Sequence, residues 1–185
     1  MPIEIEKKFR LSAAQRKFVR QRLKHIGARH ERDDVEENTL YTGNSLVLGR
    51  SILRLRRVNR TAILTFKERL PSDSDIKHQL EDETEVKDPE AMEAILGALG
   101  FTASLVYEKR REGWKLGKAK VVIDELPFGL FMEIEADEPK VREIERKLAV
   151  KGLRVEGKTY PQLTMKHGKR VGEVMEARFK GQRRS

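Results

Sequence analysis

The sequence predicts an α+β fold with about eight strands, most of them antiparallel. Strand-like runs and amphipathic helices follow the order strand, helix, several strands, helix, several strands, helix, which is not the regular alternation of a doubly wound fold. Two short connections, Asn59-Arg60 and Gly117-Lys118, are typical of tight turns between antiparallel strands. The sheet should therefore be largely antiparallel.

A strict alternation at the N-terminus predicts the first strand. Its two faces carry Ile3, Ile5, Lys7 and Phe9 on one side, and Glu4, Glu6, Lys8 and Arg10 on the other. Further strand-like runs cover about 30–41, 52–58, 61–68, 81–87, 105–116, 120–126 and 130–137.

Helical spacing of apolar residues predicts four helices. They cover about 12–27, 88–100, 139–150 and 160–167. The second is the best defined, because Asp88 can cap it, Pro89 suits its first position and Gly100 suits its end.

Composition predicts one globular domain and limits its chemistry. The chain has 185 residues, 37% charged and 38% hydrophobic, and no apolar run approaches the roughly 20 residues that a membrane helix needs. No signal-like apolar segment follows Met1, so we expect a cytoplasmic protein without membrane association. The absence of Cys excludes disulfides, thiolate metal sites and a Cys nucleophile.

The net charge predicts an anionic partner. There are 39 Lys and Arg against 30 Asp and Glu, which gives +9. Part of this excess lies at the C-terminus, where Arg178, Lys180, Arg183 and Arg184 indicate a solvated basic tail. We therefore expect a domain over 1–168 and a basic appendage over 169–185.

Acidic and basic residues are segregated in pairs along the predicted strands. The acidic pairs are Glu4/Glu6, Glu83/Glu85 and Glu133/Glu135; the basic pairs are Arg54/Arg56 and Lys109/Arg111. One solvated face of a sheet would explain any single pair. However, two carboxylates about 6 to 7 Å apart on one strand can share Mg²⁺ or Mn²⁺, and facing Arg and Lys can bind the oxygens of a polyphosphate. If the sheet closes into a barrel, its lumen would hold one small ligand.

Six segments in order closely resemble the CYTH family, also called triphosphate tunnel metalloenzymes. They are Glu4-x-Glu6-x-Lys8, LRLR at 53–56, LTFKE at 64–68, EKRREGW from Glu108, VVIDEL at 121–126 and FMEIE at 131–135. The resemblance runs from Met1 to about Lys166. It implies an eight-stranded antiparallel closed β-barrel with helices packed outside and a triphosphate bound in the tunnel.

The resemblance also implies roles for individual residues. Catalytic residues would be Glu4, Glu6, Lys8 and Lys67. Ligands of Mg²⁺ or Mn²⁺ would be Glu4, Glu6, Glu83, Glu85, Asp124, Glu133 and Glu135. Residues that bind the substrate would be Lys8, Arg54, Arg56, Lys67, Lys109, Arg111 and Lys158. The run 77–85 departs from the family pattern, so Glu81 is an alternative to Glu83.

The predicted activity is a metal-dependent phosphohydrolase acting on inorganic tripolyphosphate, thiamine triphosphate or a nucleoside triphosphate. A class IV adenylate cyclase that converts ATP to cyclic AMP and pyrophosphate is the alternative within the same site. A non-catalytic protein that binds nucleic acid is the alternative of another class, disfavoured because the acidic pairs would repel a phosphate backbone. The expected partner is a small triphosphate, and a homodimer is compatible with the sequence.

Overall fold

The structure, a computed structural model, describes residues 3–43, 46–47, 50–71 and 75–181. Within these ranges the elements are β1 (Ile3–Leu11), α1 (Ala13–His25), β2 (Arg29–Thr42), β3 (Ser51–Val58), β4 (Thr61–Arg69), β5 (Lys77–Val86), α2 (Pro89–Ala98), β6 (Thr102–Leu116), β7 (Ala119–Leu126), β8 (Gly129–Glu135), α3 (Glu138–Leu148), α4 (Tyr160–His167), β9 (Lys169–Val171) and β10 (Val174–Ala177). None of the helices in these ranges is both long enough and apolar enough to span a membrane.

Eight strands form a closed antiparallel barrel. Their order is β2-β3-β4-β5-β1-β8-β7-β6, and β6 pairs with β2 to close the ring. The closing seam aligns Glu36 of β2 with Lys109 of β6. The predicted fold class is therefore confirmed.

Both predicted tight turns connect antiparallel strands. Asn59 joins β3 to β4 with a φ of 53°, and Gly117 joins β6 to β7 with a φ of 62°. These left-handed conformations favour Asn and Gly, which explains why the turn signals were readable in the sequence.

Strand β5 begins at Lys77, four residues before its predicted start. Its first residues pair with β1, where Gln79 lies opposite Glu4 and Lys77 opposite Glu6. The stretch is polar and lacks the apolar alternation that marks a strand, so a neighbouring strand decides its conformation.

Most of the apolar residues pack outside the barrel, beneath the helices, although Leu40, Ile52 and Tyr107 line the cavity inside it. One cluster lies under α1 and α3 and includes Phe9, Leu23, Ile134 and Ile144, each at most 1% exposed. A second contains Leu96 of α2 with apolar side chains of β3 and β4. Since the outer faces of the strands form the core, their inner faces are free to carry charge.

The C-terminal segment differs from the expected solvated tail. Strand β10 pairs in parallel with Leu105–Tyr107 of β6, a stretch of edge that β7 leaves free, and β9 pairs with β10. Arg178 then contacts Glu37 at 2.5 Å and Glu108 at 3.3 Å. Arg183 and Arg184 lie outside the described residues.

Candidate active site

The barrel encloses a cavity of about 160 Å³ whose lining is mostly ionic. Its cations are Lys8, Arg54, Arg56, Lys67, Lys109, Arg111 and Lys120; its carboxylates are Glu4, Glu6, Glu81, Glu83, Glu133 and Glu135. The near balance of charge allows both signs to be buried together, because each lone buried charge would be costly.

Strand β3 supplies two arginines to the cavity. The Arg56 guanidinium donates to Glu83 at 2.7 Å, and Arg54 donates to the Thr65 hydroxyl at 3.2 Å. The Nε atoms of both arginines are buried and have no hydrogen-bond partner in the described part of the chain. Burial, together with the neighbouring Arg54 charge, lowers the pKa of Arg56. Oxygens of an anionic ligand would satisfy these donors and relieve the repulsion.

Strand β6 supplies Arg111 and Lys109 within a buried network. Arg111 binds both oxygens of Asp124, at 2.7 and 2.6 Å, and contacts Glu133 at 2.7 Å. Lys109 contacts Glu36 at 3.0 Å. Asp124 is fully buried and does not line the cavity. Its position behind Arg111 is that of a group that orients the guanidinium.

Carboxylates dominate the side formed by β1 and β8. Glu6 lies directly opposite Glu135, and Glu133 lies opposite Lys8. Facing positions on antiparallel strands bring Cβ atoms to about 5 Å, so two like charges there need nearby cations. Lys77 contacts Glu6 at 3.4 Å and Lys120 contacts Glu135 at 3.2 Å. Burial raises the pKa of Glu6, and the Glu133 charge raises it further.

These oxygen donors fit Mg²⁺ or Mn²⁺ by type and by charge. Within the described ranges, however, no three acidic or histidine side chains are gathered in metal-binding geometry. Their current partners explain this, since Lys67 contacts Glu4 at 2.5 Å and Lys8 contacts Glu133 at 3.2 Å. Binding of a cation would therefore require rotation of these carboxylates away from the lysines.

Strand β5 turns Glu81 and Glu83 into the cavity, whereas Glu85 lies outside it. Glu85 is exposed and lines a shallow depression beside Ile63. Lys67 contacts Glu81 at 2.8 Å. Burial raises the pKa of Glu81 to about 7; the Lys67 charge opposes this shift and the Glu4 charge adds to it. For Glu4, the Lys67 charge and hydrogen bonds outweigh burial and lower the pKa to about 2.

Lys158 lies outside the cavity with an exposed side chain, and its carbonyl accepts from Lys8 Nζ at 3.4 Å. Thr159, Tyr160 and Pro161, which follow it, line the cavity. The Tyr160 hydroxyl donates to Asp124 at 2.8 Å, and Lys8 Nζ lies 3.8 Å from the centre of its ring. The ring of Tyr160 thus stabilises the charge of Lys8 by a cation–π contact.

Sequence reasoning missed several residues of the site. They are Glu36, Lys77, Gln79, Lys120 and Tyr160. Along their strands, Glu36 and Lys120 occupy alternate positions that face the inside of the barrel. This alternation is the sequence signal that could have identified them.

Comparisons with known proteins agree with this architecture. The PH1012 protein from Pyrococcus horikoshii OT3 is 27% identical, with a TM-score of 0.73 over 86% of this chain and 98% of that chain. A conserved hypothetical protein from Pyrococcus furiosus is 25% identical, with a TM-score of 0.72 over 86% and 99%.

A Hippeastrum protein, proposed as an adenylyl cyclase and described as having a dominant triphosphatase activity, is 20% identical. Its TM-score is 0.69 over 92% of this chain and 98% of that chain, and at this identity the likeness shows the fold alone. A comparison with curated proteins gave no match. The family model of the CYTH domain matches residues 2–160, and the chain therefore belongs to the CYTH family.

Proposed function

We propose that this chain is a phosphohydrolase that uses Mg²⁺ or Mn²⁺ to cleave a compact triphosphate bound in its barrel. Family members are triphosphatases or adenylate cyclases. The observation that carries the proposal is the pair of buried, unpartnered Nε donors of Arg54 and Arg56 inside a lumen that also holds clustered carboxylates.

The basic residues of the lumen would bind the phosphate oxygens. Arg54, Arg56 and Lys67 on one side and Lys109 and Arg111 on the other surround the cavity. Together they would neutralise the phosphate chain and hold its terminal phosphorus for in-line attack.

The carboxylates would hold the cation. Glu4, Glu6, Glu133 and Glu135 are its candidate ligands, and the bound metal would neutralise charge and polarise the bond to the leaving phosphate. A lumen carboxylate would orient the attacking water. The water oxygen would form a bond to the terminal phosphorus, and the carboxylate would accept the proton that the water loses. The bond from that phosphorus to the bridging oxygen would break, which releases orthophosphate and the shortened phosphate.

Among the candidate substrates, we propose inorganic tripolyphosphate. The aromatic residues that line it are Tyr107 and Tyr160, and Tyr160 is already engaged by Lys8 and Asp124. Neither is placed as an exposed platform for a purine in the described lining, so no observation favours the cyclase. Cytoplasmic location, a homodimer and the roles of Glu85 and Lys158 stay predictions.

Product analysis tests the proposal. The protein is incubated with tripolyphosphate, thiamine triphosphate or ATP in Mg²⁺ or Mn²⁺, and the products are separated by chromatography. We expect orthophosphate, with little product from Arg56→Ala and native amounts from Arg57→Ala, whose arginine pairs with Glu93 outside the lumen. Cyclic AMP as the main product, or no turnover of any triphosphate, would contradict the proposal.

A further inference from the structure

The net positive charge of the chain is concentrated outside the tunnel, in residues 146–170. This stretch contains eight Lys and Arg against one Glu, a net charge of +7, while the rest of the chain carries +2. The eight cations, which we call the basic band, are Arg146, Lys147, Lys151, Arg154, Lys158, Lys166, Lys169 and Arg170.

All eight side chains of the basic band are exposed. Among the described residues only Lys147 has an ion pair, with Glu143 at 2.6 Å. The single acidic residue of the stretch, Glu156, is already bound to Arg10 at 2.9 Å. The cations of the lumen differ from those of the band, because each of them has a carboxylate within 4.0 Å. The basic band therefore presents uncompensated charge to solvent.

The course of the chain places the middle of the basic band beside the tunnel. Residues 154–156 run along β1, with Arg10 N donating to the Arg154 carbonyl and Glu156 N donating to the Lys8 carbonyl, both at 2.9 Å. The next residues, Thr159 to Pro161, line the cavity, and α4 then leads to β9. In the sequence, the cations of the band thus lie both before and after the segment that lines the tunnel.

We propose that the basic band binds linear inorganic polyphosphate too long to fit within the tunnel. Seven of its eight cations have no ion pair among the described residues, and such exposed Lys and Arg attract repeated phosphates by charge and by release of counterions. Proteins that bind single-stranded nucleic acid add aromatic side chains on which bases stack. Two residues of this stretch carry aromatic rings. Tyr160 is only 6% exposed, and the exposed ring of His167 is already stacked on Phe128, so neither ring is free to stack on a base. A polymer made of phosphate alone matches that chemistry better than RNA.

Two charge-matched variants test this inference. The first replaces Lys151, Arg154, Lys166 and Lys169 by Glu; the control replaces Lys17, Lys24, Lys115 and Lys118 by Glu, exposed lysines elsewhere on α1, β6 and the turn after β6. Affinity for fluorescent polyphosphate of several tens of units is measured by anisotropy in EDTA, as a function of salt. Binding is thereby measured separately from any metal-dependent turnover.

We expect the band variant to lose at least ~10-fold in affinity and about 3 units of salt slope, as four lost phosphate contacts would give. The control should stay within about twofold of the native affinity on the same electrostatic grounds. Tripolyphosphate turnover in Mg²⁺ should be similar in both, because neither variant alters the lumen. Gln in place of Glu at the band positions should give a smaller loss of the same kind, and thermal melting confirms folding.

Equal losses in the two variants, or no loss in either, would overturn the inference. Equal or tighter binding of single-stranded RNA of the same length would also overturn it, and would assign the band to nucleic acid. Failure of tripolyphosphate turnover with intact polyphosphate binding would count against the proposed function alone.

Discussion

Replacement of Arg56 by Ala tests whether the lumen binds the triphosphate. Its guanidinium lies in the cavity at 2.7 Å from Glu83, and its Nε is buried without a partner in the described chain. A charge-assisted hydrogen bond is worth about 1.5–3 kcal/mol. Loss of one such contact should therefore weaken binding by roughly 10- to 150-fold. Arg54→Ala should have an effect of similar size, because the same atom is unpartnered there.

Arg57 is the matched control, since it follows Arg56 on the same strand but points outward. It contacts Glu93 at 2.8 Å and Glu90 at 3.4 Å, and such surface pairs contribute about 0–1 kcal/mol to stability. The assay is calorimetric titration with a slowly hydrolysed triphosphate analogue in Mg²⁺. Native affinity in both lumen variants, or an equal loss in Arg57→Ala, would refute the placement of the ligand in the barrel.

Three further predictions concern Glu6, Tyr160 and Arg178. Because the folded-state pKa of Glu6 is raised by burial and by a second carboxylate, its ionisation destabilises the fold as the pH rises above 4.5. In alkaline buffer, Glu6→Gln should thus have a melting temperature equal to or higher than that of the native protein. In acid this gain in stability should disappear. Mg²⁺-dependent turnover should fall by at least ~10²-fold. Tyr160→Phe removes a donor from buried Asp124, so the free energy of unfolding in urea should fall by about 1–3 kcal/mol. Arg178→Ala should lower the melting temperature clearly more than Lys180→Ala, whose lysine is exposed and unpaired in the described structure; equal melting would contradict the role of the C-terminal strands.

The barrel could be predicted because each strand carries its own signal. Alternation in β1 and the turn residues after β3 and β6 depend on local sequence, and these elements lie where we expected them. Pairing between distant strands is not encoded locally. The polar start of β5 becomes a strand only because β1 lies beside it, and Lys77 and Gln79 were missed for that reason.

The sequence indicated which types of charged residue line the candidate site, but it could not indicate which of them contact each other. Alternation correctly indicated which side chains share a face, yet it could not show that Asp124 lies behind Arg111 or that Glu85 lies beyond the cavity. Barrel curvature and strand length decide how far along each inner face the cavity extends. The C-terminal strands could not be predicted, because they are short and depend on the free edge of β6.

The ion pairs of the lumen should couple the binding of anion and cation. Arg56 and Arg54 both contact Glu83, and Lys67 contacts Glu4 and Glu81. Phosphate oxygens that take over these cations release the carboxylates, whose uncompensated charge then favours a metal ion; by linkage, the metal favours the phosphate equally.

This coupling has a measurable consequence that does not depend on turnover. A triphosphate analogue should tighten Mn²⁺ binding by roughly 5- to 150-fold, the usual range for coupled sites. The tightening of Mn²⁺ binding should be smaller in Glu83→Gln, because the phosphate then releases no carboxylate charge from Arg56. It should persist in Glu85→Gln, whose carboxylate lies outside the cavity. Because the analogue also binds Mn²⁺ in solution, the difference between these two variants carries the inference. Identical coupling in both would show that the lumen pairs do not link the two ligands.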